Sequence, residues 1–363
     1  MDNLRIVASL EHHPIRWTHL FGCRCSPKQV VRAGPCANTI GNRSQPKDLA
    51  AMRIGVVTPA YNVANYIGAA ITSVLAQTHA DWVMTIVDDG STDPTHAIAA
   101  AFRDPRIRLI QQTNAGVSAA RNRGLVASDA DAMIFLDADD CLSPDALWRL
   151  AACLEATPAA VAASGSYIRV TEAGQPFGSV KRPPAGDLSK KLLIRNLFVN
   201  GGHLLTRGSS LTRAGLFRTD LTYGEDWEYW TRLAQYGPFA AVSTATPVLF
   251  ARERHNGAYL THAAKPQSFA PCMNAIFTSS ILRERWSPEA IQRLRKRASA
   301  ENDWIVGREL IRHGRTTEGR AFLRRSLRVA PNLKRLIMLG AARFPATRIG
   351  PFRRYDPSPT FPS

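Results

Sequence analysis

The chain reads as an α/β protein on a doubly wound, mostly parallel sheet flanked by helices, with a basic helical appendage at the C-terminal end. Three observations predict this. Short apolar runs recur at 54–58, 83–87, 107–111 and 133–136, separated by helix-periodic segments. Such alternation needs right-handed crossovers, which put helices on both faces of a parallel sheet. Lys and Arg then crowd the last eighty or so residues, outside the alternating block.

The elements follow in order. Residues 54–58 form a buried strand of the parallel kind. A helix over 65–77 carries Ile67, Ile71, Val74 and Leu75 on one face. The strand at 83–87 ends in Asp88-Asp89-Gly90-Ser91, and Asp93 or Thr92 caps a helix through Phe102. A third strand, 107–111, leads through Asn114-Ala115-Gly116 into an Ala-rich helix over 115–126. The strand at 133–136 ends in Asp137-Ala138-Asp139-Asp140. Ser143 is expected to cap the next helix, with Pro144 at its first position and its end near Leu154. Far downstream, 288–312 and 317–329 read as two helices joined at His313-Gly314-Arg315 and resemble a single tetratricopeptide-type hairpin. One such unit buries little alone, so it is expected to pack on the larger domain.

The 363 residues suit two domains, or one large domain with appendages. With 45% apolar and 21% charged residues, wholesale disorder is excluded. No apolar run approaches the roughly 18 to 20 residues of a membrane span; the richest, 336–342, is flanked by Lys334, Arg335 and Arg343. The net charge of +17 divides into +4 over 1–51, +12 over 281–363 and +1 between them. The basic tail is either a solvated helix face or a surface for an anionic partner. The near-neutral centre, without aromatics interleaved among the cations, disfavours a nucleic-acid-binding protein. Scattered cysteines at 23, 25, 36, 141, 153 and 272 do not space as a zinc site and suit a reducing, cytoplasmic compartment. Residues 1–51 show no sustained period and no secretory core. Met52 is expected as the natural start, and 1–51 as a disordered or mis-annotated extension.

The acidic clusters carry the chemistry. Three acids within Asp137–Asp140 repel one another unless a cation sits among them, and hard carboxylates suit Mg²⁺ or Mn²⁺ with a diphosphate completing the shell. The other reading is a strand-end turn. Asp88-Asp89-Gly90-Ser91 is likewise a turn or a polar ledge for a base and ribose. Glu225-Asp226 opens a helix, where the dipole favours acids whatever their function. Trp227 and Trp230 are core or a sugar platform; His203, after Asn200-Gly201-Gly202, lies near an acceptor or is a buried structural residue. A nucleotidyltransferase would share the sheet and the acids. It would want a phosphate loop after strand one, which Pro59-Ala60-Tyr61-Asn62 does not supply.

In order, Thr58-Pro59-Ala60-Tyr61-Asn62, the Asp88 cluster, Asn114 through Gly124, the Asp137 cluster and Tyr223-Gly224-Glu225-Asp226-Trp227-Glu228 resemble the family-2 glycosyltransferases. The resemblance covers about residues 53–256. It implies a GT-A fold and inverting transfer from a nucleotide-diphospho sugar, UDP type favoured. A divalent metal, Mn²⁺ or Mg²⁺, would be the cofactor. It further implies that Thr58, Pro59 and Tyr61 line the base pocket and that Asp89, or Asp88, contacts the base. Arg121 would help hold the nucleotide, Asp137 would meet ribose or metal, and Asp139 would bind the metal. Asp226, or failing it Glu225, would be the general base. Arg254 and His255 would reach back to the diphosphate, with His255 among the metal ligands.

Domains are expected at 52–280 for catalysis (nucleotide half about 52–142, acceptor half about 143–256), 281–344 for the appendage and 345–363 for a loose Pro-rich tail. Leu282-Arg283-Glu284-Arg285-Trp286 has Leu where processive synthases have Gln, which favours single additions. The acceptor is expected to be a glycan or polyprenyl-linked glycan in bacterial envelope or exopolysaccharide assembly. The expected setting is the cytoplasm, with peripheral contact to an anionic membrane surface and no specific nucleic acid.

Overall fold

A computed structural model of the chain describes residues 52–244, 246–254, 261–265 and 267–342. The expectations for 1–51, His255 and 345–363 lie outside the described residues.

Strands β1 (Ile54–Ala60), β2 (Trp82–Asp88), β3 (Ile107–Gln111) and β4 (Ala132–Phe135) pair in parallel, with β1 between β2 and β4. Every residue of β1, β2 and β4 is buried, which suits strands covered on both faces. Successive side chains of β1 serve opposite faces. Val56 joins the core of Ile67, Ile71, Leu147 and Leu150, while Val57 joins Phe135, Phe217, Tyr229 and Trp230. Helices α1 (Ile67–Leu75), α2 (Thr95–Ala100) and α3 (Val117–Val126) make the crossovers.

The sheet then departs from pure parallel order. After β5 (Cys141–Leu142) and α4 (Ala146–Glu155) come β6 (Ala162–Ser164), β7 (Tyr167–Val170) and β8 (Pro176–Lys181). Helix α5 (Ser189–Ile194) precedes β9 (Leu204–Arg207), which runs antiparallel between β4 and β6. With α6 (Gly208–Ala214), α7 (Glu225–Leu233), β10 (Phe239–Ala241) and β11 (Leu249–Arg252) the large sheet reads β10-β6-β9-β4-β1-β2-β3. A small sheet, β5-β11-β7-β8, stands beside it and brings β11 next to the end of β4.

Ser143 does not cap α4 as expected. Its hydroxyl donates to Asp145 Oδ1 at 2.9 Å, and its carbonyl accepts from Gln77 at 2.7 Å. Pro144 gives its carbonyl to the Thr78 amide at 2.8 Å. The segment is spent tying α4 to the end of α1, so the helix begins at Ala146.

The C-terminal region is helical: α8 (Ala270–Thr278), α9 (Ser280–Arg285), α10 (Pro288–Arg312), α11 (Thr316–Val329) and α12 (Leu333–Ala341). The first half of α10 packs on the larger body, Leu294 and Ala298 joining Leu193, Trp227, Cys272 and Ile276 in one cluster. Its second half crosses α11 at two glycines. A Cβ on Gly319 would lie 2.6 Å from the Gly307 carbonyl, so the crossing needs both residues bare. Helix α12 was not foreseen from sequence. No helix among the described residues is long and apolar enough to cross a membrane.

Candidate active site

The residues just after β4 and the start of α7 meet in one cluster, with the ends of β1 and β2 along the same edge of the sheet. Arg121, on α3, lies beneath it, only 6% of its side chain exposed. One guanidinium nitrogen donates to Asp137 Oδ1 at 3.0 Å and another to Glu225 Oε1 at 2.9 Å. The two carboxylates hold Arg121 firmly protonated against the cost of burial. A side chain expected at the nucleotide is thus committed to two acids. It ties the strand-end cluster to the helix of the candidate base, residues separated by 88 positions in sequence.

The Asp137 cluster is short of positive charge. Asp139 pairs with Arg254 Nε at 2.7 Å, yet burial and the neighbouring Asp137 still raise its pKa. Asp140 is buried, accepting from the Arg252 amide at 2.7 Å and Asn200 Nδ2 at 2.6 Å; burial and the two other acids push it well up. Arg252 also donates to the Asp139 carbonyl at 2.8 Å. Asp137 and Asp139 offer hard oxygens one residue apart, a donor set that fits a divalent ion. Among the described residues no three His, Cys, Asp or Glu side chains converge as a ligand set. An ion held here would therefore complete its shell with phosphate and water oxygens.

Asp226 is set apart from its neighbour. Burial first, then the charge of Glu225, push its carboxyl up to about 7 against the pull of Arg121. Asn196 Nδ2 donates to Oδ2 at 3.1 Å, and the Trp227 amide to Oδ1 at 2.6 Å. Glu225 is instead bound to Arg121. The pair thus splits into one ion-paired acid and one poised near neutrality, the range that suits a general base. The turn before them is fixed by Gly224, at φ +79°. A Cβ there would lie 2.9 Å from Cys272 Sγ, which itself donates to the Gly224 carbonyl at 3.1 Å.

The loops after β1 and β2 are laced together. Asn62, at φ +50°, accepts from the Thr92 amide at 2.8 Å, and its own amide donates to Ser91 Oγ at 3.1 Å. Asp89 is buried and accepts from Gln112, Ala115 and Gly116 at 2.7, 2.9 and 2.8 Å, holding the loop before α3. Asp88 is fully buried between the Ser91 amide and His96 Nδ1, 3.0 and 3.1 Å away. Thr58 and Pro59 are buried, the Thr58 hydroxyl without a partner, and Tyr61 is half exposed.

Other sequence alternatives resolve. Trp227 and Trp230 are core, and Trp227 Nε1 donates to the Leu192 carbonyl at 2.6 Å. His203 is fully buried, its Nδ1 bonded to the Gly165 carbonyl at 2.8 Å and its pKa pushed down to about 4 by burial. Arg285 and Trp286 reach Gln235, beyond the C-terminal end of α7. That is about 13 Å along the helix from Asp226. Asn196 lies in no run that marks it, and Asn200 was visible only as the lead-in to Gly201-Gly202-His203; the fold brings both, with Arg252, to the acids.

An α/β sheet with its polar clusters at the strand ends and a second sheet alongside is the layout of GT-A folds. A mannosyltransferase from Pyrobaculum calidifontis, solved with GDP-Man and Mn²⁺, superposes with a TM-score of 0.53 at 20% identity over 80% of this chain and 79% of that one. Residues 55–213 match the family described as Glycosyl transferase family 2, and the chain carries a family-2 glycosyltransferase domain. An uncharacterized glycosyltransferase of Nostoc, alr2836, is 42% identical over 102 residues, 27% of this chain and 32% of that protein. The putative teichuronic acid biosynthesis glycosyltransferase TuaG of Bacillus subtilis is 40% identical over 97 residues, 26% of this chain and 38% of that protein. The chain thus spans about a third of the length of these relatives.

Proposed function

We propose that the protein transfers a single sugar, with inversion, from a nucleotide-diphospho-sugar donor to a glycan or lipid-linked glycan in bacterial polysaccharide assembly. It would act in the cytoplasm and touch the membrane peripherally. The carrying observation is the Arg121 bridge, which fixes Asp137 and the Glu225-Asp226 pair in one rigid group. The TuaG relative supports the setting, and the mannosyltransferase with GDP-Man and Mn²⁺ supports a diphosphate donor with a divalent ion.

Thr58, Pro59 and Tyr61 line the base pocket. Asp89 shapes its floor, with one acceptor position on Oδ2 still to give to a base N–H. Asp137 and Asp139 would hold the divalent ion, with His255 as a further candidate, and the bound ion would neutralise charge on the departing diphosphate. Arg254 pairs with Asp139 and adds positive charge on the same side. Arg121 acts through its two carboxylates, keeping Asp137 and Glu225 oriented. Asp226 takes the proton from the acceptor hydroxyl on the face opposite the leaving group, which inverts the anomeric centre. Asn196 aims its carboxylate. No second catalytic acid is needed, unlike in a glycosidase.

The test is release of nucleoside diphosphate from UDP-, GDP- and dTDP-sugars with Mn²⁺ and lipid-linked glycan acceptors. One donor class should turn over and Asp226→Asn should abolish it. Near-normal turnover by that variant would reject the assignment of the base.

A further inference from the structure

Helix α12 is amphipathic in an inverted sense. The side chain it buries is a cation: Arg335 is bonded to Glu301 and, at 2.8 Å, to the Ala330 carbonyl, beside the Trp304 ring. Met338 and Leu339 pack inward on Trp304, Ile311 and Leu323. Its outer face instead carries Leu333, Leu336 and Ile337, which are 71%, 56% and 60% exposed. They stand at i, i+3 and i+4, one stripe of the helix. Val329, at the end of α11, is a fourth exposed aliphatic within nine residues of chain. One exposed aliphatic side chain is ordinary, but four gathered at one edge mark a surface that meets something apolar.

Charge selects the partner. Helices α11 and α12 hold six Lys and Arg and one acid, Glu318. Arg325 and Arg335 are answered by Asp303 and Glu301 of α10, and Glu318 by Arg315. Arg324, Arg328 and Lys334 of the same two helices are exposed. A second copy of this edge would bring cations against cations. A neutral apolar partner would leave them unanswered. An anionic lipid surface answers both features, taking the aliphatics at the acyl boundary and the cations at the phosphates.

We propose that the α11–α12 edge is an interfacial anchor that seats the protein on anionic phospholipid. The inference deepens the peripheral placement proposed above and does not depend on the transfer chemistry. It is tested by sedimenting the full chain with vesicles of phosphatidylcholine alone, or of phosphatidylcholine mixed with phosphatidylglycerol. Binding should require phosphatidylglycerol and weaken as salt is raised. Leu336→Asp with Ile337→Asp should abolish it. Arg324→Gln, Arg328→Gln and Lys334→Gln together should weaken it about a hundredfold, at about fivefold per cation.

All substituted side chains are exposed, and nucleotide titration on the same preparations reports the donor site separately. Lost nucleotide binding with intact vesicle binding would strike the transferase reading alone. No binding to either vesicle, equal binding to both, or undiminished binding by the aspartate variant would overturn the anchor. A dimer in solution that the aspartate variant dissolves, without vesicle binding, would assign the edge to a second copy instead.

Discussion

Replacing Asp226 with asparagine should change stability with opposite sign at low and high pH. The carboxyl's pKa rises from 3.8 in the unfolded chain to about 7 in the fold. The native state therefore binds the extra proton between those values, and stability is lost as pH rises from about 4 to about 7. At about 1.4 kcal/mol per pKa unit, ionised Asp226 costs on the order of 2–4 kcal/mol, the lower figure allowing for its partial exposure. Asparagine removes that cost but offers only one acceptor oxygen. Asn196 Nδ2 and the Trp227 amide both donate at this carboxylate, so one donor loses its partner, at about 1 kcal/mol. The variant should be about 1–3 kcal/mol more stable than the parent at pH 8 and about 1 kcal/mol less stable at pH 4. Denaturant titration at both pH values measures the pair. A difference of the same sign and size at both would refute the argument that Asp226 is held near neutrality by its surroundings.

Other expectations follow from the same geometry. The kcat/KM profile should fall as pH drops through about 7, as protonation silences the base; a flat profile from pH 6 to 8 would count against Asp226 in that role. Arg121→Met should cost about 3 kcal/mol, the lower range for breaking a buried pair because Asp137 keeps some exposure, and should cut turnover; thermal melting should show a drop of several degrees. Gly224→Ala should destabilise by about 1–3 kcal/mol and depress turnover, because the new Cβ meets Cys272 at a left-handed backbone position. Gly319→Ala should loosen the α10–α11 crossing by a comparable amount while leaving nucleotide binding intact, read by melting and calorimetry together.

Much of the fold was legible because buried parallel strands announce themselves as apolar runs. The runs at 54–58 and 107–111 fall inside strands β1 and β3, and the latter matches end to end. The reach of β9 between β4 and β6 was not legible, since antiparallel insertion leaves no period of its own. At the site, the acids were visible as runs at strand ends, but their amide partners were not. Asn196 reaches Asp226 across 30 positions, and Asn200 reaches Asp140 across 60. Local spacing carries no trace of such contacts. Arg121 was recognised as a site residue, yet its place beneath the acids came only from burial and the two ion pairs. Ser143 misled because its hydroxyl, the expected cap, donates to Asp145 Oδ1 instead. Helix α12 escaped because its apolar residues divide between two faces, Leu333, Leu336 and Ile337 outward and Met338 and Leu339 inward, so no single buried stripe marks it.

The central claim is that the Asp137 cluster binds a nucleoside diphosphate through a divalent ion. Calorimetric titration of UDP, GDP and dTDP into the protein, with and without Mn²⁺, tests it most directly. One nucleotide should bind only with Mn²⁺, and Asp139→Ala should abolish that binding without lowering the melting temperature. Binding that ignores both the ion and the substitution, or no binding by folded protein to any of the three, would contradict the account.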